Sequence, residues 1–237
     1  MINRIPFRFK QFIVDDNKCA MKVGTDAVIL GAWINVCNAK TILDIGTGCG
    51  LIALMAAQRS TAQITAIDID ESASIQSREN FLASLWNERL DTVHGSVQQF
   101  NPDKQFDLIV CNPPFFKNAF KTPDPIRNIA RHNDKLSFES LLASADRLLN
   151  DNGTFAFILP NEEAHQAITL GVAHQLYPNR CCTVIPRDGK SPNRLIVELS
   201  RRESEIKRET LTIRNLNNQY TSQYKELTKD FYLFLSE

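Results

Sequence analysis

From residue 40 onward the chain alternates between two hydrophobic periods. Thr41-Ile-Leu-Asp-Ile45 is a short apolar run of strand length, and Leu51 to Gln58 is an alanine-rich apolar stretch that predicts a packed helix. Gln63–Asp68 repeats the strand pattern. Glu71–Trp86 repeats the helical one, with Ile75, Leu82, Leu85 and Trp86 on the predicted buried face. Leu90–His94 and Phe106–Cys111 predict two further strands joined by a short polar crossover. Ser137 is placed to cap a helix whose stripe runs Phe138, Leu141, Leu142, Ala145, Leu148 and Leu149, with Asn150 and Gly153 ending it. Thr154–Leu159 predicts a strand and Asn161–Val172 a helix. Strands at Cys181–Pro186 and Leu195–Leu199 flank the turn Arg187-Asp-Gly-Lys-Ser-Pro-Asn193, a hairpin signal.

Repeated strand–helix alternation predicts an α/β fold, a parallel sheet wound on both faces and closed by an antiparallel hairpin. Ligands of such sheets sit beyond the carboxyl ends of the strands, near the point where strand order reverses. The chemistry is therefore sought in Asp44–Gly50, Asp68–Asp70, Gly95–Ser96 and Asn112–Phe116.

Composition narrows the class. The 237 residues are 43% hydrophobic and 23% charged, ordinary for a globular chain. Lys+Arg and Asp+Glu both count 27, so wholesale polyanion binding through net charge is excluded and only a local basic surface serves. Residues 41–114 hold four basic and nine acidic side chains, whereas residues 1–40 hold six and three. An acidic middle with basic flanks suits a cationic small ligand at the centre and a polyanion gripped from the sides. The six cysteines lack CxxC spacing, the N-terminus lacks an apolar signal region, and no stretch approaches 18 apolar residues. These features predict a cytoplasmic protein with reduced thiols and no membrane span. The four histidines are scattered, so no metal site is expected.

Glycines 46, 48 and 50 lie directly between a strand and a helix, where backbone N–H groups approach a ligand closely. Leu51 stands where a dinucleotide fingerprint has its third glycine, which argues against an NAD-dependent oxidoreductase. Asp44 precedes this loop, and Asp68 ends the next strand, where a carboxylate accepts from two ribose hydroxyls. A nucleoside without phosphate that also carries cations fits both features, and S-adenosylmethionine is such a molecule. After the fourth strand comes Asn112-Pro113-Pro114-Phe115. Proline has no N–H, so this turn offers carbonyl acceptors, and Pro113 holds Asn112 extended. The Asn112 side-chain oxygen and the Pro113 carbonyl together suit a planar NH2 group, with Phe115 stacking on the ring that bears it. No general base stands out, and His94 reads as structural.

These motifs resemble the class I S-adenosylmethionine-dependent methyltransferases that act on exocyclic amines. The stretches Cys19-Ala-Met-Lys-Val-Gly-Thr-Asp26 and Asn218-Gln-Tyr-Thr-Ser-Gln-Tyr224, running on to Leu235, are similar to a narrower group. That group is the bacterial YfiC-like tRNA adenine-N6 methyltransferases, which modify adenine 37 of tRNA1(Val). The resemblance implies a Rossmann-like sheet of seven strands in a single domain of 1–237. Residues 1–39 would be a covering extension, 40–200 the core and 201–237 a C-terminal extension. It implies that Asp44, Gly46, Gly48 and Gly50 line the methionine end of the cofactor, that Asp68 holds the ribose, and that Lys22, Thr25 and Asp26 close over it. Ser96 stands where the family often has an aspartate accepting from the cofactor's adenine. Asn112, Pro113, Pro114 and Phe115 would hold the target adenine.

The basic stretch with Lys117, Lys121, Arg127, Arg131 and Lys135 suits RNA phosphates or a solvated loop equally, and Arg201, Arg202, Lys207 and Arg208 read as solvated surface. Tyr220, Tyr224, Leu227, Phe231 and Phe234 recur at helical spacing and are expected in the core. The alternatives that keep the cofactor are adenines of ribosomal RNA or DNA, or a protein glutamine amide. No obligate protein partner is evident.

Overall fold

A computed structural model describes residues 5–113 and 137–233. A small antiparallel ribbon, β1 (Phe7–Arg8) and β2 (Ile13–Val14), is followed by α1 (Thr25–Trp33). The central units are β3 (Thr41–Ile45), α2 (Leu51–Arg59), β4 (Gln63–Asp68), α3 (Glu71–Leu82), β5 (Leu90–His94) and β6 (Phe106–Cys111). Beyond them come α4 (Phe138–Leu148), β7 (Leu149–Pro160), α5 (Asn161–Ala173), β8 (Tyr177–Arg187), β9 (Arg194–Ser200), β10 (Lys207–Arg214) and α6 (Ser222–Thr228).

Among the described residues the main sheet runs β10-β8-β9-β7-β6-β3-β4-β5, and within it only β9 is antiparallel to its neighbours. The seven strands read from the sequence are present, and an eighth, β10, is added at the edge. Its charged stretch Lys207-Arg-Glu209 looks like solvated surface because edge strands carry charge to discourage further pairing. Glu209 instead accepts from Trp33 Nε1 at 2.7 Å and from Arg180 Nε at 2.9 Å, tying the edge to α1. Arg201 likewise is half-buried and bonds Asp146. One core layer packs α1, α2 and the C-terminal segment against the sheet, with Tyr224 and Phe231 buried in it. The other packs α4 and α5. Phe234 and Leu235 lie outside the described residues.

Two boundaries differ from the periodicity. The α4 stripe ends at Leu148, and Leu149 opens β7. Asn150 and Gly153, which read as a helix stop, lie in a strand irregularity where pairing with β6 jumps from Phe106↔Leu149 to Leu108↔Thr154. A Cβ on Gly153 would sit 2.7 Å from the Phe106 carbonyl, so the glycine serves a close backbone approach.

The larger difference is α3. It stops at Leu82, and Ile75, Leu82 and Leu85 are 46%, 67% and 79% exposed. The face it buries is Ala73, Ser74, Gln76, Ser77, Asn80 and Phe81. Hydrophobicity misplaces this face because its polar side chains are used to bind backbone. Asn80 Nδ2 donates to the carbonyls of Asp15 and Cys49, both at 2.8 Å, and its Oδ1 accepts from Asp15 N at 3.1 Å. Gln76 Oε1 accepts from Lys18 N at 3.2 Å. Of the expected apolar positions only Trp86 packs on the core.

Candidate active site

The strand order reverses between β3 and β6, and the carboxyl ends of β3, β4, β5 and β6 there form one continuous edge. The loop after β3 holds Gly46, Gly48 and Gly50 at φ values of 67°, 57° and 82°, the left-handed region. The amides of Gly46 and Thr47 donate to the Ile67 carbonyl at 2.8 and 3.2 Å, and Gly48 N donates to Asp68 Oδ2 at 2.8 Å. The loop is thus pinned to β4. A Cβ on Gly46 or Gly48 would meet nothing within 4 Å, whereas one on Gly50 would strike the Phe81 ring at 2.4 Å. The first two glycines leave open space above the backbone, and the third lets the loop pack on α3.

Asp44 lies beneath this loop, 1% exposed. Its Oδ2 accepts from the Thr47 hydroxyl at 2.7 Å, and its buried Oδ1 has no hydrogen-bond partner among the described residues. Burial pushes its carboxyl up to about 7. The Thr47 hydroxyl and a backbone amide of α2 hold it down, and the neighbouring Asp68 charge pushes it further up. A buried, under-satisfied carboxylate of this kind is costly unless a cationic donor reaches it.

Asp68 ends β4 half-buried, and its other oxygen accepts from Asp70 N at 3.0 Å. Each carboxylate oxygen has two lone-pair sites, so both keep acceptor capacity. Gly95 N bonds the Asp68 carbonyl at 2.9 Å, which brings the end of β5 alongside. There the Ser96 hydroxyl donates to Gln98 Oε1 at 2.9 Å and accepts from Gln98 N at 3.3 Å, shaping its own turn. His94 is exposed, with Nε2 3.2 Å from the Ile69 carbonyl.

On the other side of β3, Cys111 of β6 pairs with Ile45. Asn112, half-buried, and Pro113, buried, therefore stand one strand spacing, about 4.8 Å, from the start of the glycine loop. Pro114 and Phe115 lie outside the described residues, as does the basic stretch from Lys117 to Lys135.

The extension that precedes α1 reaches this edge. Lys22 Nζ donates to the carbonyls of Asp16, Cys19 and Asn17 at 2.6, 2.9 and 3.3 Å, so its ammonium clips the loop together. Asp16 Oδ2 accepts from Val23 N at 3.0 Å. Cys19 and Cys49 are both buried. The Cys49 neighbour and burial push the Cys19 thiol up, whereas Cys19 and a backbone amide at the start of α2 draw Cys49 down. Thr25 and Asp26 line a cleft beside the β8–β9 hairpin, where Asp26 Oδ2 accepts from Arg194 Nε at 2.8 Å. The roles of Gln76, Asn80 and Arg194 are not marked by any motif. The one signal in sequence is polar amides at i and i+4 on a helix that must bury a face.

A family model described as methyltransferase small domain matches residues 19–173. A tRNA1(Val) (adenine(37)-N6)-methyltransferase of Bacteroides thetaiotaomicron is 45% identical over 232 residues, 97% of this chain and 98% of that one. The chain belongs to this methyltransferase family. The enzyme of the same name from Trichodesmium erythraeum is also 45% identical, across 96% of this chain and 97% of that one. Among solved structures, a predicted O-methyltransferase from Agrobacterium tumefaciens has a TM-score of 0.66 at 16% identity, covering 87% of this chain and 96% of that one. The ribosomal protein L11 methylase of Lactobacillus delbrueckii subsp. bulgaricus has a TM-score of 0.57 at 17% identity, covering 80% and 84%. These two share the Rossmann-like methyltransferase fold.

The methyl donor of this methyltransferase is S-adenosylmethionine. The residues fit it: the orphaned Asp44 Oδ1 calls for a cation, the open backbone at Gly46 and Gly48 admits a ligand, and Asp68 retains acceptor sites one strand away.

Proposed function

We propose that this chain methylates the N6 amine of an adenine in tRNA, adenine 37 of tRNA1(Val). The observation that carries the reading is Asn112-Pro113 one strand spacing from the open glycine loop, on the same sheet edge. The near-full-length relatives that bear this activity in their names support the choice of substrate.

When bound, the donor supplies a methyl group on a sulfonium, already a strong electrophile. The chain's own residues position and desolvate. Asp44 holds the cationic methionine end, the amides around Gly46 and Gly48 border it, and Asp68 accepts from the ribose hydroxyls. Ser96 accepts from the cofactor's adenine edge, more weakly than a carboxylate. Lys22 acts by holding the covering loop in shape. Thr25 and Asp26, which follow it at the start of α1, close with it over the cofactor. The Asn112 side-chain oxygen and the Pro113 carbonyl accept the two N–H bonds of the adenine amine, and this frees its lone pair from the ring for attack. The surplus proton then leaves for solvent, so no general base is required. Pro114 and Phe115, by their place in the motif, complete the pocket, Phe115 by stacking on the base. Six unpaired cysteines and an RNA substrate support a cytoplasmic location.

The test is transfer of labelled methyl to separate pools of unmodified tRNA, ribosomal RNA, DNA and a glutamine-bearing peptide, read by nucleoside and peptide mass spectrometry. N6-methyladenosine confined to tRNA is expected. Label in another pool, with tRNA unmodified, would transfer the reading to that substrate.

A further inference from the structure

The reversal of strand order at β3 and β6 divides the carboxyl edge of the sheet. The β3–β4–β5 side carries the glycine loop and Asp68. The β6–β7–β9–β8–β10 side begins at Asn112, where a target base would enter, and runs on to a second cleft. This cleft, about 270 Å³, lies between α1, the β8–β9 hairpin and β10, and shares no lining residue with the glycine loop.

Its chemistry is polar, aromatic and cationic. Arg214, the last residue of β10, lies 4.1 Å above the Tyr220 ring, which in turn stacks on Tyr224 at 4.8 Å. Arg214 Nη1 donates to the Asn218 carbonyl at 2.6 Å. A guanidinium has five N–H donors, so the stack and that bond fix its plane while leaving donors for a phosphate. Across the cleft the charge of Asp26 is neutralised by Arg194. The exposed turn adds Arg187 and Lys190 against a single acid, Asp188. Because β9 is antiparallel, its first residue lies at the same edge as the ends of the parallel strands. Arg194 pairs with Pro160 of β7, and Arg214 with Arg187 of β8. Counted in strand spacings from β6, Arg194 is about 10 Å and Arg214 about 19 Å to the side of Asn112, a span of a few nucleotides.

We propose that this cleft holds a nucleotide of the RNA strand that continues from the target adenine. Its phosphate lies on Arg214, its sugar and base against Asn193 and the Tyr220 edge, and the Arg187–Lys190 turn steers the neighbouring phosphates. The inference rests on RNA being the substrate and adds where the strand is gripped.

The test pairs a cleft variant, Arg214→Ala, with a variant carrying Arg187→Glu and Lys190→Glu, two exposed positions at the end of β8 and in the turn after it. Full-length tRNA binding is measured by filter retention across a salt series, alongside steady-state kinetics, cofactor affinity and thermal unfolding. For each variant the tRNA Kd and KM should weaken roughly tenfold, the loss expected when a charge-assisted phosphate interaction is removed. The log–log salt slope should become shallower by about 0.7 for each single-strand phosphate that the variant no longer neutralises. Cofactor affinity, and kcat at saturating tRNA, should stay within about twofold. Unchanged tRNA affinity and salt slope in both variants would overturn the inference while leaving the methylation activity standing. If the variants impair a protein substrate and not RNA, the cleft belongs to that partner and the inference also fails. A wild-type enzyme that methylates no RNA would sink the substrate reading itself, a distinct result.

Discussion

Replacing Asp44 by Asn tests the role proposed for that buried carboxyl. In the ligand-free protein this group is pushed up to about 7 from an ordinary 3.8. Between those two pH values the native state holds more protons than the unfolded chain, so its contribution to stability grows as pH falls. The full difference corresponds to about 4 kcal/mol, lost again as pH rises through 7. Asn mimics the protonated form and still accepts from Thr47. It also buries an amide N–H with no evident partner, at a cost of about 1–3 kcal/mol. The net expectation at pH 8 is a ligand-free variant more stable than wild type by about 1–3 kcal/mol, with a midpoint raised roughly 2–4 °C per kcal/mol. Cofactor binding should move the other way. Only ionised Asp44 pairs with a cation, so the wild-type Kd should be roughly 25-fold weaker at pH 5.5 than at pH 7.5. Calorimetry at pH 6.5 in buffers of different ionisation enthalpy should detect release of about 0.8 proton per cofactor. The Asn variant should bind weakly and without this pH dependence. A pH-independent wild-type Kd, or an Asn variant that melts lower at pH 8 while keeping the proton release, would refute the role given to Asp44.

Further variants separate chemistry, cofactor binding and architecture. Asn112→Ala should lower kcat by about 10²-fold or more, as removal of a preorganised polar group does, with little change in cofactor Kd. Equal losses in both would contradict its role. Asp68→Ala should show the opposite split, weakening cofactor binding chiefly, checked by equilibrium titration. Gly50→Ala should destabilise by about 1–2 kcal/mol for its left-handed backbone and a further 1–3 kcal/mol for crowding Phe81, read by urea unfolding and partly relieved by Phe81→Leu. Asn80→Ala should free the segment around Asp15 from α3, seen as faster proteolysis near residues 13–24 together with weaker cofactor binding.

How legible these features were depended on which physics fixed them. The strands β3 to β7 and their connecting helices follow from apolar runs that must bury both faces of a parallel sheet, so pattern alone locates them. The glycine loop, Asp68 and Asn112-Pro113 are legible for a second reason: backbone approach and acceptor geometry admit few residue types. The inward face of α3 is not legible, because Gln76 and Asn80 are buried by hydrogen bonds to Lys18, Asp15 and Cys49 that lie 31 to 65 positions away. Strand β10 escapes for a related reason. Its charges suit solvent, and only the partners Trp33 and Arg180, brought near by folding, make Glu209 an interior tie. The pairing of Asp26 with Arg194 spans 168 positions and leaves no local trace.

The antiparallel strand β9 has an architectural consequence. A parallel β9 would have put the turn before it at the opposite rim, remote from any substrate. Its reversal delivers residues 188–193 to the working rim while continuous pairing on both sides, Arg194↔Pro160 and Arg194↔Val184, fixes their roots. Insertions or exchanges in that turn should leave the pairing of β3, β4 and β5 undisturbed, which unfolding measurements would check. The reversal thereby separates the half of the rim that carries the glycine loop from a half that ends in an exposed turn.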